Sequence, residues 1–367
     1  MSSTLTIGMT LTQCWHRVPG GTASAANGLA TALSQRDDVD VVGFGPGGRR
    51  MPRDPWTPTV PIKRLCLPYQ LLYDVWHHSP ACAPSQRVRG LDLVHATSVM
   101  TPPRGNVPLV VTINDLFALT APHHFTERGV RIMQRGVEMA KRRADLVVCP
   151  SLDTVSDCVD AGFDESKIRV VPWAAQAPAV SEAYLERVRH RFRLRRRFVL
   201  WVGTVEPRKN LPTLIDAFAQ ADIDGVELVL VGPTGWHEQL EGHIEPVAHK
   251  VRHLGSVSDA ELSALYSLAD VVAFPSLREG FGLPAAEAIA HGTPVIGSAG
   301  TAIEEVVGDA GLLADPLDTA TWVTALRQYF QDQGLREALA QACPNRAKRF
   351  TWENTAQQMM MIYRELA

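Results

Sequence analysis

The chain has 367 residues, a formal net charge of −3 and 46% hydrophobic residues. Its length favours two domains over one, and its nearly balanced charge argues against a polyanion-binding protein, so nucleic acid is not an expected partner. Cys14, Cys66, Cys82, Cys149, Cys158 and Cys343 form no CxxC pair and have no histidine at metal-ligand spacing, so neither a metal site nor a disulfide framework is expected.

The opening MSSTLTIGMTLTQ has neither a basic start nor a sustained apolar run, and no later stretch reaches the roughly 20 apolar residues of a membrane helix. A cytoplasmic location is expected. Arg128, Arg131, Arg135, Lys141, Arg142 and Arg143, on a helical pattern with Val130, Met133 and Val137, leave peripheral contact with the inner face of a membrane open; a helix packed on its own sheet gives the same pattern.

Short β-branched runs ending in Gly, Pro or Ser alternate with helical patterns along the whole chain, the signature of an α/β fold with doubly wound parallel sheets. Strands are predicted at 5–11, 39–44, 91–95, 109–113, 146–149 and 168–171 in a first sheet. After a linker at 174–181 and a helix assigned Arg187, Arg189, Arg191, Arg193 and Arg195 to Arg197, a second set follows at 198–202, 227–231, 271–274 and 295–296. The domains are thus expected at 1–175 and 176–350, with a helix in 351–367 crossing back towards the first. The arginine run reads either as a solvated surface or as a contact for an anionic partner. In this architecture ligands are expected in the crevice at the carboxyl ends of the strands.

In chain order, the first candidate motif is Pro19-Gly20-Gly21-Thr22, between the first strand and a helix over 23–33. Gly20 and Gly21 permit close backbone approach to a ligand, although many tight turns carry such pairs. The second, Gly203-Thr204-Val205-Glu206-Pro207-Arg208-Lys209-Asn210, follows the strand at 198–202 and precedes apolar helical spacing at Leu211, Leu214, Ile215 and Phe218. Arg208 offers a fork and Lys209 a compact charge for phosphate oxygens. The third and densest is Arg278-Glu279-Gly280-Phe281-Gly282-Leu283-Pro284-Ala285-Ala286-Glu287-Ala288. Pro284 suits a first helical turn, and Gly280 and Gly282 let backbone N–H groups approach an anion such as a diphosphate. Glu279 lies before that helix and Glu287 one turn inside it, so the two carboxylates have separate addresses, each able to accept from sugar or ribose hydroxyls.

These motifs, in this order, resemble the retaining glycosyltransferases of family four, which have the GT-B fold of two Rossmann-like domains. The resemblance runs from Thr6 to about Pro316 and includes Leu254-Gly255-Ser256-Val257-Ser258-Asp259 and Glu305-Val306-Val307-Gly308-Asp309-Ala310. It implies a nucleotide diphosphate sugar as donor substrate, of UDP, GDP or dTDP type, and no other cofactor; no run of paired acids reads as a metal site and Arg208 and Lys209 already serve the phosphate, so metal independence is expected. It implies that Glu279 holds donor-sugar hydroxyls, that the N–H groups of Phe281, Gly282 and Leu283 hold phosphate and sugar, and that Glu287 holds the ribose. Arg208 and Lys209 would bind the diphosphate, and the backbone near Val257 the base. The acceptor, a saccharide, lipid-linked or small molecule, would sit on the first domain near 15–19, 69–78 and 117–131.

At Thr112-Ile113-Asn114-Asp115-Leu116 many family members carry His before Asp; here Asn114 stands there and supplies no titrating proton. The exchange is expected to track a donor altered at its outermost carbon, such as a deoxy sugar or pentose. His95, His123 or His124 are alternative occupants of that role. The competing readings are a sugar-nucleotide epimerase or phosphorylase of similar shape, and a catalytically impaired nucleotide-binding partner. A dehydrogenase is disfavoured because no GxGxxG with a following ribose-binding acid opens either sheet.

Overall fold

The computed structural model describes residues 4–16, 19–122, 125–235 and 240–367. The chain divides into two compact units, Met1–Ala174 with Trp352–Ala367, and Ala175–Thr351.

The first unit holds a seven-stranded sheet, β1 (Leu5–Thr10), β2 (Val39–Gly45), β3 (Ile62–Arg64), β4 (Leu93–Ala96), β5 (Leu109–Thr112), β6 (Leu146–Cys149) and β7 (Ile168–Val170). All its pairings are parallel, in the spatial order 3-2-1-4-5-6-7. Strands β4, β5 and β6 are buried at every position, which is why they read as continuous apolar runs and not as alternating ones. The helices of this unit are α1 (Gly20–Ser34), α2 (Tyr69–His78), α3 (Phe117–Thr120), α4 (Glu127–Arg143) and α5 (Leu152–Asp160).

The second unit holds β8 (Arg197–Val202), β9 (Val226–Val231), β10 (Val251–His253), β11 (Val271–Phe274), β12 (Val295–Ser298) and β13 (Gly311–Ala314), all parallel, in the order 10-9-8-11-12-13. Around it lie α6 (Glu182–Arg191), α7 (Leu211–Ala221), α8 (Glu241–Ile244), α9 (Asp259–Leu268), α10 (Leu283–Ala290), α11 (Ala302–Val307), α12 (Thr319–Gln331) and α13 (Gln333–Ala347). In α7 the predicted apolar positions Leu211, Leu214, Ile215 and Phe218 are all buried. Strand order reverses between β1 and β4 in one sheet and between β8 and β11 in the other, and at such switch points adjoining loops diverge to leave a crevice.

The last helix, α14 (Trp352–Leu366), belongs to the first unit and packs on α1. Gly28 makes this possible: a Cβ there would lie 2.1 Å from the Trp352 ring. Farther along, the Tyr363 hydroxyl lies 2.7 Å from His95 Nδ1, and His95 Nε2 lies 2.8 Å from Thr112 Oγ1. Burial lowers the His95 pKa to about 3, so the ring is a neutral core linker.

Several expectations change. Strands β3, β10 and β13 were not legible: each is a sheet edge of three or four residues with little full burial, so it lacks the apolar run that marks a central strand. Gly20 and Gly21 lie inside the first turn of α1 and not in a loop before it, with Gly20 at φ +64°. The helix α6 ends at Arg191, leaving Arg193, Arg195 and Arg196 in a turn and Arg197 on β8. Cys66 and Cys82 form a disulfide with Cα atoms 5.9 Å apart, because β3 and α2 bring together two residues whose spacing gave no sign of pairing. His95 is spent on Tyr363 and Thr112, while His123 and His124 lie outside the described residues.

Candidate active site

The second and third motifs meet at the switch point of the second sheet. Arg208 and Lys209 form a single 3₁₀ turn after β8, Glu279 follows β11, and the pieces are tied by the Leu277 N–H donating to the Arg208 carbonyl at 2.9 Å. Asn210 locks the turn. It adopts a left-handed conformation, φ +52°, and its amide donates to the carbonyls of Pro275 (3.1 Å) and Pro316 (2.7 Å).

Glu279 Oε1 receives both cations, Lys209 Nζ at 2.6 Å and Arg208 Nη1 at 2.8 Å. Arg208 also reaches Glu206 Oε1 at 2.6 Å and donates to the Arg278 carbonyl at 2.9 Å. Glu279 and Lys209 are each 8% exposed. Burial pushes Glu279 upward, but Lys209 and Arg208 together outweigh it and bring its carboxyl down to about 2. Burial lowers Lys209 against the pull of Glu279, and its ammonium lies 4.9 Å from the Phe274 ring centre. Glu279 is therefore ionised at neutral pH.

Gly280 to Leu283 lead from this cluster into α10. Gly282 caps the helix at φ +97°, a conformation glycine adopts without penalty, and Pro284 occupies the first turn. The first N–H groups of a helix have no intrahelical acceptor, so this end attracts anions. Gly203 closes the other side at the end of β8. It is packed so tightly against β9 that a Cβ on Gly232 would lie 1.8 Å from the Gly203 carbonyl oxygen.

Glu287 sits one turn into α10 in an environment of opposite sense. Burial raises its pKa to about 7, the nearby Asp259 adding to the rise, although the Tyr266 hydroxyl donates to its Oε2 at 2.9 Å. The Tyr266 ring stacks on His291, centroids 5.4 Å apart, and His291 Nδ1 donates to the Glu287 carbonyl at 2.8 Å. Val257 lies in the turn before α9, whose first residues are fixed by a capping box between Ser258 and Glu261. Sequence reasoning missed Tyr266, which belongs to no motif, and gave no role to Glu206.

In the first unit a cavity of about 420 Å³ opens at the carboxyl ends of β1, β4 and β5, the switch point of that sheet, and Asn114 lines it. The Asn114 Oδ1 accepts from Trp173 Nε1 at 3.1 Å. An indole nitrogen only donates, so the amide oxygen must face Trp173, leaving Nδ2 as a donor. One wall is aromatic: His16 and Tyr69 have ring centres 5.4 Å apart, and the Tyr73 hydroxyl lies 3.0 Å from His16 Nε2 and 2.9 Å from Thr12 Oγ1. Burial lowers the His16 pKa and raises that of Tyr73. Arg128 of α4 joins the lining, so the segments 15–19, 69–78 and 117–131 all contribute; Thr22 lines it too, but Gly20 and Gly21 do not.

The profile described as "Glycosyltransferase Family 4" matches residues 19–176, and that described as "Glycosyl transferases group 1" matches 185–346. The O-antigen chain mannosyltransferase B of Escherichia coli is 32% identical over 271 residues, 70% of each chain. The chain belongs to glycosyltransferase family four. A D-inositol 3-phosphate glycosyltransferase of Salinispora tropica is 31% identical over 291 residues, covering 71% of this family-four chain and 60% of its own length. The fold is of the GT-B class. Sucrose-phosphate synthase from Thermosynechococcus elongatus superimposes with a TM-score of 0.75 at 22% identity over 99% of both chains. Anabaena HepE in complex with UDP and glucose gives 0.72 at 20% identity over 99% of this glycosyltransferase and all of HepE. No helix among the described residues is long and apolar enough to cross a membrane.

Proposed function

We propose that this family-four glycosyltransferase transfers a sugar from a nucleotide diphosphate sugar to a hydroxyl of a saccharide, lipid-linked or small-molecule acceptor, with retention at the anomeric carbon. The observation that carries the reading is the buried Arg208–Glu279–Lys209 cluster beside the amino end of α10. Arg208 and Lys209 are balanced by Glu279 and Glu206, so the two cations offer donors to the oxygens of a diphosphate, the helix terminus beside them adds positive potential, and Glu279 remains an acceptor for sugar hydroxyls.

In this reading the diphosphate lies against Arg208, Lys209 and the N–H groups of Gly280, Phe281, Gly282 and Leu283. Glu279 accepts from the donor sugar, Glu287 from the ribose, and the backbone at Val257 and Gly203 flanks the base and phosphates. As the bond from the anomeric carbon to the phosphate oxygen breaks, the sugar becomes oxocarbenium-like and the negative charge gathers on the diphosphate, where the two cations stabilise it. The acceptor oxygen bonds to the same face, and its proton passes to the departing phosphate. No side-chain base is required. Arg208 and Lys209 supply the charge a metal would otherwise bring, so transfer proceeds without added divalent cation. Asn114 donates through Nδ2 and does not titrate, and Gly20 and Gly21 act through the start of α1. The acceptor occupies the aromatic-walled cavity of the first unit.

The test is a thermal-shift panel of nucleoside diphosphates and their sugars, led by UDP-glucose because HepE was crystallised with it, on wild type, Glu287→Ala and Arg208→Ala. A base-selective rise in Tm that both variants lose is the expected result. No shift at saturating nucleotide would overturn the donor-site assignment.

A further inference from the structure

Residues 187–197 hold seven arginines, and the function proposed above uses none of them. The structure breaks this run into a shaped turn. Arg193 adopts a left-handed backbone, φ +52°, unfavourable for a residue with a Cβ. Arg252, from β10, holds it there: its guanidinium donates to the carbonyls of Phe192 and Arg193. Arg252 is itself balanced by Glu227 at 3.6 Å. An internal arginine thus fixes the turn, and Arg195 and Arg196 project from it into solvent.

Beside the turn lies a concavity of about 390 Å³, lined by Arg189, Arg195, Arg196 and Arg197 and facing Leu268 and Asp270. Asp270 is already engaged, accepting from Arg197 Nε at 2.7 Å and from the Phe198 N–H at 2.9 Å. Arg197 is seated over the Phe330 ring, 4.7 Å from its centre. Two further carboxylates pair more loosely, Glu186 with Arg189 at 3.6 Å and Glu227 with Arg196 at 3.9 Å. Among the described residues Arg195 forms no ion pair with any of these carboxylates. Four guanidinium groups therefore face three carboxylates, one of which, Glu227, is shared with Arg252, so positive charge is in excess here on a chain whose net charge is −3.

We infer that the second unit carries an additional oxyanion site at this concavity, which takes the phosphate group of a phosphorylated ligand. Guanidinium forks match phosphate oxygens in pairs, and the volume falls within the range of small-ligand sites. The place is separate from the candidate donor site. Arg197 and Asp270 stand at the amino ends of β8 and β11, whereas Arg208 and Glu279 follow the carboxyl ends of the same two strands, about 20 Å away along a six-residue strand. Because both ends of the sheet attract phosphate, the test must separate them.

The experiment is calorimetric titration of the full chain with inorganic pyrophosphate at fixed ionic strength, using wild type, Arg208→Ala, and the double changes Arg195→Glu with Arg196→Glu and Arg195→Lys with Arg196→Lys, each made both in the wild type and in Arg208→Ala. Binding that persists in Arg208→Ala, falls at least tenfold when the double Glu change is added to that variant and falls less when the double Lys change is added is the expected pattern. The double Glu variant should keep the wild-type Tm and nucleotide response, since both side chains are exposed. Sedimentation with phosphatidylglycerol vesicles identifies the source of the phosphate: arginine-dependent co-sedimentation assigns a lipid headgroup, and pyrophosphate binding without it assigns a soluble ligand. Within Arg208→Ala, pyrophosphate affinity that the double Glu change leaves unaltered, or no binding of either probe, overturns the site.

Discussion

Glu279 and Glu287 stand on one loop and the helix it opens, and their surroundings drive them in opposite directions. Glu279, held to about 2 by its two cations despite burial, contributes stability that is present above the usual carboxylate pKa and is lost as pH falls from about 4 towards 2. Glu287, raised to about 7 chiefly by burial, has the reverse sign: its contribution is present below about 4 and is lost as pH rises through 7. Only the ionised Glu287 is a pure acceptor for a ribose diol, so the donor KM should rise as pH falls below about 7, and Glu287→Gln should flatten that profile; steady-state kinetics from pH 5.5 to 8.5 would check both. Glu279→Gln removes the counter-charge of a buried lysine. It should cost about 3–5 kcal/mol in urea unfolding, as breakage of a buried pair does, and lower kcat at least a hundredfold because the cations lose their set positions.

At the scale of elements, close approach decides which helices can sit where. α14 lies on α1 because residue 28 has no side chain, and Gly28→Ala puts a methyl group into the Trp352 ring. Overpacking of this kind costs roughly 1–3 kcal/mol, so the first unit should lose stability by that amount in chemical denaturation, while the nucleotide response proposed for the second unit should be unchanged. The capped start of α10 follows from a similar local rule, glycine at a left-handed cap and proline in the first turn, and it needs no partner element to form.

For the whole molecule, the chain leaves its first unit at Ala174, builds the second, and returns at Trp352. The returning helix buries Ala356, Met359, Met360, Ile362 and Tyr363 in the first unit, and each large apolar side chain contributes about 1.5–3 kcal/mol. Deletion of residues 352–367 also leaves His95 without its Tyr363 partner. Calorimetry of the truncated chain should show the transition of the first unit lost or lowered by well over 10 °C and that of the second nearly unchanged; a uniform fall of both would show that the two units unfold as one.

The sequence by itself determined the α/β class, the central strands and the start of α10 after its glycine loop. Each rests on short-range physics: buried strands need unbroken apolar runs, and a helix start beside glycines needs particular residues at particular steps. It did not determine the edges, because β3, β10 and β13 are too short and too exposed to carry an apolar signature. Only the tertiary structure joined Lys209 to Glu279 across 70 positions, set Tyr266 against Glu287 and gave His95 to the core. It also paired Cys66 with Cys82 and turned the arginine run into a concave surface. Spacing along a chain reports which face of an element a residue occupies; which other element meets that face is decided by packing, and packing sets the charge, the proton affinity and the partners of each side chain.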